Sequence, residues 1–529
     1  MRKPLLIFVL GLVTLSVVAL FSYYQKMMFL GPSGMHQWRQ ADCYSIAKNY
    51  YMEGMQFMEP KIHYQGGMQG HAVSEFPILN YTAACLWNVF GESPFVYRCL
   101  NYTIFCVVLL IISWQLYNIF NSIFKSWFVM AFMASAPLLA YYAPNFIADV
   151  PAFSFAILAF VLVWRFNLKP NYLLFNAALI CSLCAVLLKA SNVVPLGILL
   201  LQVIWSWKSN NTAVYKWLYI KRRFVLIFLI TGILAIACWY RFALQYNQNF
   251  ANNVFLLTIL PIWKMQAADM ADNFSALLHQ HAPVMLNPLM WLVLLLQLLY
   301  CIWHCKRASA FLNLALVCSS LYTLFYILAF FQVFKHHDYY LITLMLWPLI
   351  IQVHFWSLVQ FNTPRLKWGM ALAVLFFLFN ALHAAAIVRL RLIKDDKLVS
   401  WYPCISKTEK DLAQYLHWDY ERHIGSIEKL EPELRRHSIT RNETIIAIPD
   451  QSFNIALNFL DQKGWTIALD HLQNDSNVVL EVMHRNPKYI VLMDTHLLAL
   501  PALKRVQQQL QVVFKPGHGA VYKIKPHAL

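Results

Sequence analysis

The sequence predicts a polytopic α-helical membrane protein with about eleven transmembrane helices and a C-terminal extracytoplasmic α/β domain. Three observations predict it. Of the 529 residues, 60% are hydrophobic, 16% aromatic and only 13% charged, giving a mean hydropathy of +0.50, whereas soluble domains carry about 25% charged residues. The apolar residues fall in blocks of about twenty, the length a helix needs to cross a bilayer. Past residue 390 the charge density rises and short β-rich runs replace the long apolar blocks.

The first block follows Met1-Arg2-Lys3 and runs to about Tyr24. It is too long for a signal-peptide core and lacks a small-residue cleavage site, so an uncleaved first span is expected. Further spans are expected near 95–117, 126–143, 150–167, 171–188, 192–207, 223–241, 286–303, 309–331, 340–360 and 368–389. If the chain alternates sides, Arg2/Lys3, Lys125, Arg165/Lys169, Lys208 to Arg223, Lys306/Arg307 and Arg365/Lys367 share one side, and cation-rich short loops mark the cytoplasm. An odd number of spans then places the N-terminus inside. The loops 25–93 and about 243–284, and the region from 391, face outward. Two domains are expected: a membrane domain, 1–390, that includes the loop 25–93, and an extracytoplasmic domain, 391–529.

The net charge of +17 does not indicate nucleic acid, because the cations cluster in loops as membrane topology demands. Most of the eleven cysteines, including Cys106, Cys181, Cys184, Cys238 and Cys318, lie in apolar spans and act as small hydrophobes. Outside the spans only scattered cysteines such as Cys43 and Cys404 remain, so no disulfide framework or CxxC metal site is visible.

In the first outer loop, Cys43, Tyr44, Ile46, Ala47, Tyr50, Tyr51 and Met55 recur at helical spacing, with Asp42, Asn49 and Glu53 opposite. This predicts an amphipathic interfacial helix with Asp42 in its first turn. Residues 77–91 predict a second one. In the C-terminal region, Thr444–Pro449, Thr466–Asp470, Tyr489–Asp494 and Val512–Lys515 predict strands of a largely parallel sheet. Gly517-His-Gly519 reads as a hairpin turn, and no Gly-rich phosphate loop is present.

Ionisable residues at the edge of a membrane bundle are costly, which makes them the candidate functional groups. The densest set is His36-Gln-Trp38-Arg39-Gln40-Ala-Asp42, followed by Ser74-Glu75-Phe76-Pro77. Others collect at expected outer ends of spans: Asp149, Lys189, Trp239-Tyr240-Arg241 and Lys335-His336-His337-Asp338-Tyr339-Tyr340. Lys189, Arg241 and Lys335 run against the positive-inside bias, and a cation kept outside can meet an anionic ligand such as a lipid phosphate. Each also has a plainer reading, since long cationic side chains snorkel to headgroups. Asp42 can be a first-turn carboxylate favoured by the helix dipole and paired with Arg39, and Glu75 an ordinary loop charge. His36, His336 and His337 could ligate a metal with nearby carboxylates, but no fixed ligand spacing supports it.

The order of these elements resembles the GT-C class of polyprenyl-phosphate-dependent glycosyltransferases, specifically bacterial relatives of protein O-mannosyltransferases and the lipid A aminoarabinose transferase. The resemblance rests on the acidic motif in the first outer loop, the x-x-P element, Phe90-Gly91-Glu92 with Arg98, Asp149-Val-Pro, and the Tyr-Tyr pair near the last spans. It covers about residues 1–390. It implies transfer of a sugar from a polyprenyl phosphate to an acceptor hydroxyl on a glycan, lipid or protein, at the outer face and with inversion. The implied catalytic group is Asp42, with Glu75 and Asp149 as further candidates. Arg39, Lys189, Arg241, Lys335, His336 and His337 are the candidate donor-phosphate ligands. His36, Trp38, Gln40, Tyr240, Asp338 and Tyr339 are candidates for acceptor or sugar contacts. Relatives carry Asp-Glu near the position of Arg39-Gln40 and Lys-Pro-Pro where this chain has Glu75-Phe-Pro77, so Glu75 is expected to serve the acceptor or a metal rather than a phosphate. No soluble nucleotide sugar is needed, no cofactor is identified, and a divalent cation is the less favoured expectation.

A lipid or polysaccharide transporter would place its ionisable residues near the bilayer midplane and show internal repeats; neither is evident. An O-antigen-ligase-like enzyme shares this architecture. A phosphoethanolamine transferase would need a His/Asp-rich soluble domain, which 391–529 lacks.

Overall fold

The computed structural model describes residues 2–66, 69–209, 211–252, 254–255, 258–360 and 363–525. Among the expected cytoplasmic cations, the side chains of Arg2, Arg365 and Lys367 lie outside the described set. The chain forms two compact units. The first comprises Met1–Leu30, Tyr97–Arg241 and Thr258–Lys410; the second comprises Gly31–Val96, Phe242–Leu257 and Asp411–Leu529.

The first unit is a helical bundle. Among the described residues, seven helices are long and apolar enough to cross a bilayer: Lys3–Phe21, Pro94–Phe120, Asp149–Leu168, Arg222–Asn249, Ala310–Ala329, Asp338–Leu358 and Trp368–Leu392. An eighth candidate is a pair, Ala267–Met285 and Pro288–Trp303, bent by 90°. Its break has a local cause. Asn287 is extended and caps the second helix by accepting from Met290 N at 3.0 Å, while Pro288 at the first helical position offers no N–H. The remaining expected spans fall on shorter apolar helices, Ile123–Ala134, Tyr172–Leu188 and Ala190–Ser206. Every expected span therefore coincides with a helix, although three are short and one is broken.

Burial ranks these helices. The apolar stretch of Asp149–Leu168 is 89% buried and that of Asp338–Leu358 is 78% buried, against 22% for Arg222–Asn249 and 28% for Lys3–Phe21. The first two are the core of the bundle, and the outer helices turn apolar side chains outward, as lipid requires. Breaks in the bundle leave carbonyls that must be satisfied internally. Arg98, fully buried, donates to the carbonyls of Leu30 and Pro144, both at 2.9 Å, and its guanidinium stacks on Phe146.

The second unit is built on a five-stranded sheet: β1 (Ile445–Ile448), β2 (Gly464–Thr466), β3 (Tyr489–Leu492), β4 (Leu510–Phe514) and β5 (Ala520–Ile524), in the order β2-β1-β3-β5-β4. β1 pairs in parallel with β2 and β3, whereas β5 is antiparallel to both β3 and β4. The sheet is thus mixed rather than largely parallel. The turn at Gly517 closes a β4–β5 hairpin. β1 and β3 are buried on both faces, so they read as unbroken apolar runs. Ile445, Ala447 and Val491 pack against Leu434, Leu457 and Leu460. Ile446, Ile448 and Ile490 pack against Leu472, Val479 and Leu503 on the other side.

Segment 31–96 lies in this second unit. Tyr64 bridges in parallel to Gly464, and Gln65 N donates to Gly464 O at 2.8 Å, extending the sheet edge beyond β2. Segment 242–257 joins it through the Asn247 side chain, which exchanges hydrogen bonds with the Val73 backbone at 3.0 and 2.7 Å. His71, hydrogen-bonded to Tyr246, also stacks on Phe250.

Gly464 allows the close approach of these strands: a Cβ there would lie 1.9 Å from Ile445 O. Gly464→Ala is expected to cost about 1–3 kcal/mol or more through forced backbone displacement, read as a lowered melting temperature of the purified protein. An unchanged melting temperature would show that this edge is not closely packed.

Candidate active site

In the second unit the motif residues lie on and just before the helix Gln37–Met52. His36 occupies the N-cap position in a left-handed conformation, φ 54°, and Asp42 falls in the second turn rather than the first. The helix does not expose a polar face. Gln40 to Ala47, Asn49 and Tyr50 are all buried. The side opposite its apolar residues is covered by other polar groups of the unit. Arg441 donates to Asn49 Oδ1, to Glu53 Oε1 at 3.1 Å and to Asp461 Oδ1 at 3.0 Å. His63 shares Asp461 at 3.1 Å, and Lys48 reaches Asp461 at 3.4 Å and Glu92 at 2.9 Å. Burial opposes the charge of Asp461, yet the His63 hydrogen bond and the Lys48 and Arg441 charges hold its carboxyl below the usual range. Burial also pushes His63 down to about 4, against the pull of Asp461, so at neutral pH it is an uncharged hydrogen-bonding group.

Asp42 is treated differently. It is 1% exposed, and neither carboxylate oxygen accepts a hydrogen bond of regular geometry. Burial raises its pKa from 3.8 to about 7; the Arg39 charge and the nearby Asn454 amide oppose this, and Glu75 and Asp450 add to it. An ionised Asp42 therefore costs the fold on the order of 4 kcal/mol at neutral pH. A carboxylate kept at that cost, without the cations that surround Asp461 and without the donors that hold Asp450, is the feature of the unit that points most directly to chemistry.

The other motif residues are placed as follows. Arg39 is bonded to Glu75 and donates to Ser74 Oγ at 3.0 Å, so the two expected sites, 36–42 and 74–77, do meet. The guanidinium of Arg39 also lies over Phe255. The Gln40 amide is committed to the loop before the helix, donating to Ser33 O at 2.7 Å and Met35 O at 2.9 Å. Trp38 is exposed and meets Phe453 edge-on, with ring centroids 6.1 Å apart.

The remaining candidates lie in the first unit. Asp149 begins its helix and is buried, with Oδ1 3.1 Å from Lys189 Nζ. Lys189 sits in the extended break between Tyr172–Leu188 and Ala190–Asn192, over the rings of Tyr339 and Tyr340 at 5.3 and 5.1 Å. Asp338 is fully buried. It accepts from Tyr142 Oη and pairs with Arg391 at 2.8 Å, while Arg391 also donates to Glu409 at 2.7 Å. The Tyr240 hydroxyl donates to Val186 O at 2.9 Å. Arg241, Lys335 and His336 are exposed; Lys335 pairs with Asp272 at 3.2 Å, and half-buried His337 lies against Tyr339 and Tyr340. Among the described residues, no three His, Cys, Asp or Glu side chains gather as a metal set.

Sequence reasoning missed Arg391, Glu409, Arg441, Asp461 and Asn454. Arg391 carried a usable signal, a cation at the expected outer end of a span. The others are linked to their partners across distant stretches of chain, which no local pattern encodes.

The chain, a helical bundle unit and a mixed-sheet unit, has the fold of the GT-C membrane glycosyltransferases. No protein-family model matches the chain, and no curated protein matches it in sequence. Solved structures do. ArnT from Cupriavidus metallidurans in the apo state is 11% identical with a TM-score of 0.58, the match covering 97% of each chain. The same protein bound to undecaprenyl phosphate is 11% identical and gives 0.55, over 98% of each chain. The archaeal oligosaccharyltransferase AglB from Archaeoglobus fulgidus, in complex with an inhibitory peptide and a dolichol-phosphate, is 11% identical and gives 0.52, over 95% of this chain and 72% of that one. The likeness is one of fold.

The Asp42 environment has a consequence for stability. Because its folded pKa is raised, the stability present when Asp42 is neutral is lost as pH climbs from the unfolded value, about 3.9, through about 7. Asp42→Asn is therefore expected to melt higher than the parent protein at pH 8, with the gap closing as pH falls to about 4. A gap that is absent, or that widens toward low pH, would contradict the buried-carboxylate reading.

Proposed function

We propose that this protein is a membrane glycosyltransferase that moves a sugar from a polyprenyl-phosphate donor to an acceptor hydroxyl at the extracytoplasmic face, with inversion. The observation that carries the proposal is Asp42: a buried carboxylate without a regular hydrogen-bond partner, held near pH 7, in a GT-C fold. A hydroxyl is a poor nucleophile at neutral pH, and a base is most effective when its pKa lies near the working pH. In the step we assign, the acceptor oxygen bonds to the anomeric carbon, the bond from that carbon to the phosphate oxygen breaks, and the hydroxyl proton passes to Asp42. The leaving group is the polyprenyl phosphate.

Support for such a donor comes from the structural neighbours solved with undecaprenyl phosphate and with a dolichol-phosphate. In the membrane unit we assign the donor phosphate to Lys189. Its ammonium is oriented by Asp149 and by the two tyrosine rings, and a phosphate at this position receives a fixed cation rather than a freely rotating one. Arg241, exposed on its helix, is the second cation we assign to it.

Purified Asp42→Asn protein is expected to lose about 10²-fold or more in turnover of a polyprenyl-phosphate sugar while retaining donor binding. Lys189→Ala is expected to weaken donor binding more than acceptor binding. Normal turnover by Asp42→Asn would remove Asp42 from the mechanism, and unchanged donor affinity in Lys189→Ala would remove Lys189 from the phosphate site.

A further inference from the structure

We infer that Asn454, in the C-terminal region, is a positioning residue for Asp42, holding the helix turn that carries the carboxylate. The inference rests on the proposed role of Asp42 and gives the C-terminal region a direct part in that site.

Asn454 is 1% exposed and both ends of its amide are committed. Tyr64 N donates to Oδ1 at 3.2 Å, which fixes the orientation of the amide. Nδ2 then faces the motif helix and donates to Ser45 Oγ at 2.8 Å and to Ala41 O at 3.3 Å, the two residues that bracket Asp42 on that turn. Ser45 Oγ in turn donates to the backbone carbonyl of Asp42 at 3.2 Å. A serine hydroxyl that takes a bond from Asn454 and passes one to the Asp42 carbonyl fixes the turn, and the Asn454 amide itself favours the ionised Asp42 carboxylate beside it.

The loop that carries Asn454 is itself built to hold it. The buried Asp450 carboxylate accepts from Ser452 N at 2.8 Å, Ser452 Oγ at 2.7 Å and Ala456 N at 2.7 Å. Ser452 Oγ accepts from Asn454 N at 3.2 Å and Ile455 N at 2.8 Å. These bonds cap the short helix Ile455–Leu460 and set the backbone of Asn454 before its side chain meets the motif helix.

The groups facing Asp42 come from three elements: Arg39 from its own helix, Glu75 from the segment before Ile78–Phe90, and Asp450 and Asn454 from the C-terminal region. Arg39 and the Asn454 amide favour the ionised carboxylate, and Glu75 and Asp450 oppose it. Removing the Asn454 amide takes away one of the two favourable groups and leaves both unfavourable ones.

The test reads the protonation of Asp42 without catalysis. A hydrophobic carbodiimide modifies buried carboxyl groups in their protonated form, and mass spectrometry of the full-length protein in detergent locates the adduct. With parent protein the labelling of Asp42 is expected to fall off with a midpoint near pH 7. Asn454→Ala should move that midpoint upward by roughly half a pH unit or more, the direction expected when a stabilising partner of the ionised form is lost. Asn454→Asp, which keeps the side-chain volume but adds a carboxylate, should move it further. Asp42→Asn should lose the adduct. Midpoints in both Asn454 variants that coincide with the parent's would overturn the inference. Turnover is not part of the readout, so normal turnover by Asp42→Asn would defeat the proposed mechanism and leave the labelling result standing. An unshifted midpoint alongside an inactive Asp42→Asn would defeat the role of Asn454 alone.

Discussion

The second unit depends on the enclosure of one helix. Gln37–Met52 carries polar residues on the side that a loop helix would ordinarily give to water, and here that side is covered. Arg441, His63 and Lys48 gather on Asp461, and Arg441 also takes Asn49 and Glu53, so nearly every buried polar group on that face has a partner. Enclosure of this kind is stable only when the charges inside it are paired. Asp42 is the exception, and it is an exception that the surrounding network makes tolerable. The rest of the helix is held so firmly that one carboxylate can be left without a regular partner.

The membrane unit solves the complementary problem. A bundle in lipid has no water to satisfy its polar groups, and a few committed cations take up part of that demand. Arg98 takes the carbonyls exposed at helix breaks, and Arg391 bridges Asp338 and Glu409 with all three side chains almost fully buried. These pairs leave little room for ligand and read as architecture. The Lys189–Asp149 pair differs from them. Lys189 stands in a break between helices, flanked by two tyrosine rings, and retains some exposure. Buried pairs of the first kind fix the bundle, and the Lys189–Asp149 pair is less fully enclosed.

Much of this was legible in the sequence because it is written locally. Apolar length marks a span wherever it occurs, and each expected span lies on a helix. The motif helix, the helix at 78–90 and strands β1 and β3 were also locally encoded. Segment 31–96 is attached through backbone pairing between Tyr64 and Gly464, about four hundred residues apart, which no local pattern reveals. The same distance hid the burial of Asp42. Amphipathic spacing identified the helix but implied that Asp42 faced outward; only the Asn454 loop and the Arg441 network turn that face inward.

The central claim is that Asp42 acts as a base held near neutrality by burial. It is tested most directly by the pH dependence of kcat/KM for transfer from a polyprenyl-phosphate sugar, measured on the purified full-length protein. The account predicts a plateau above neutrality and an acid limb with a midpoint near pH 7, falling tenfold per pH unit below it. A rate that stays level down to pH 5 would mean that no carboxylate in this environment takes up the proton, and would contradict the account.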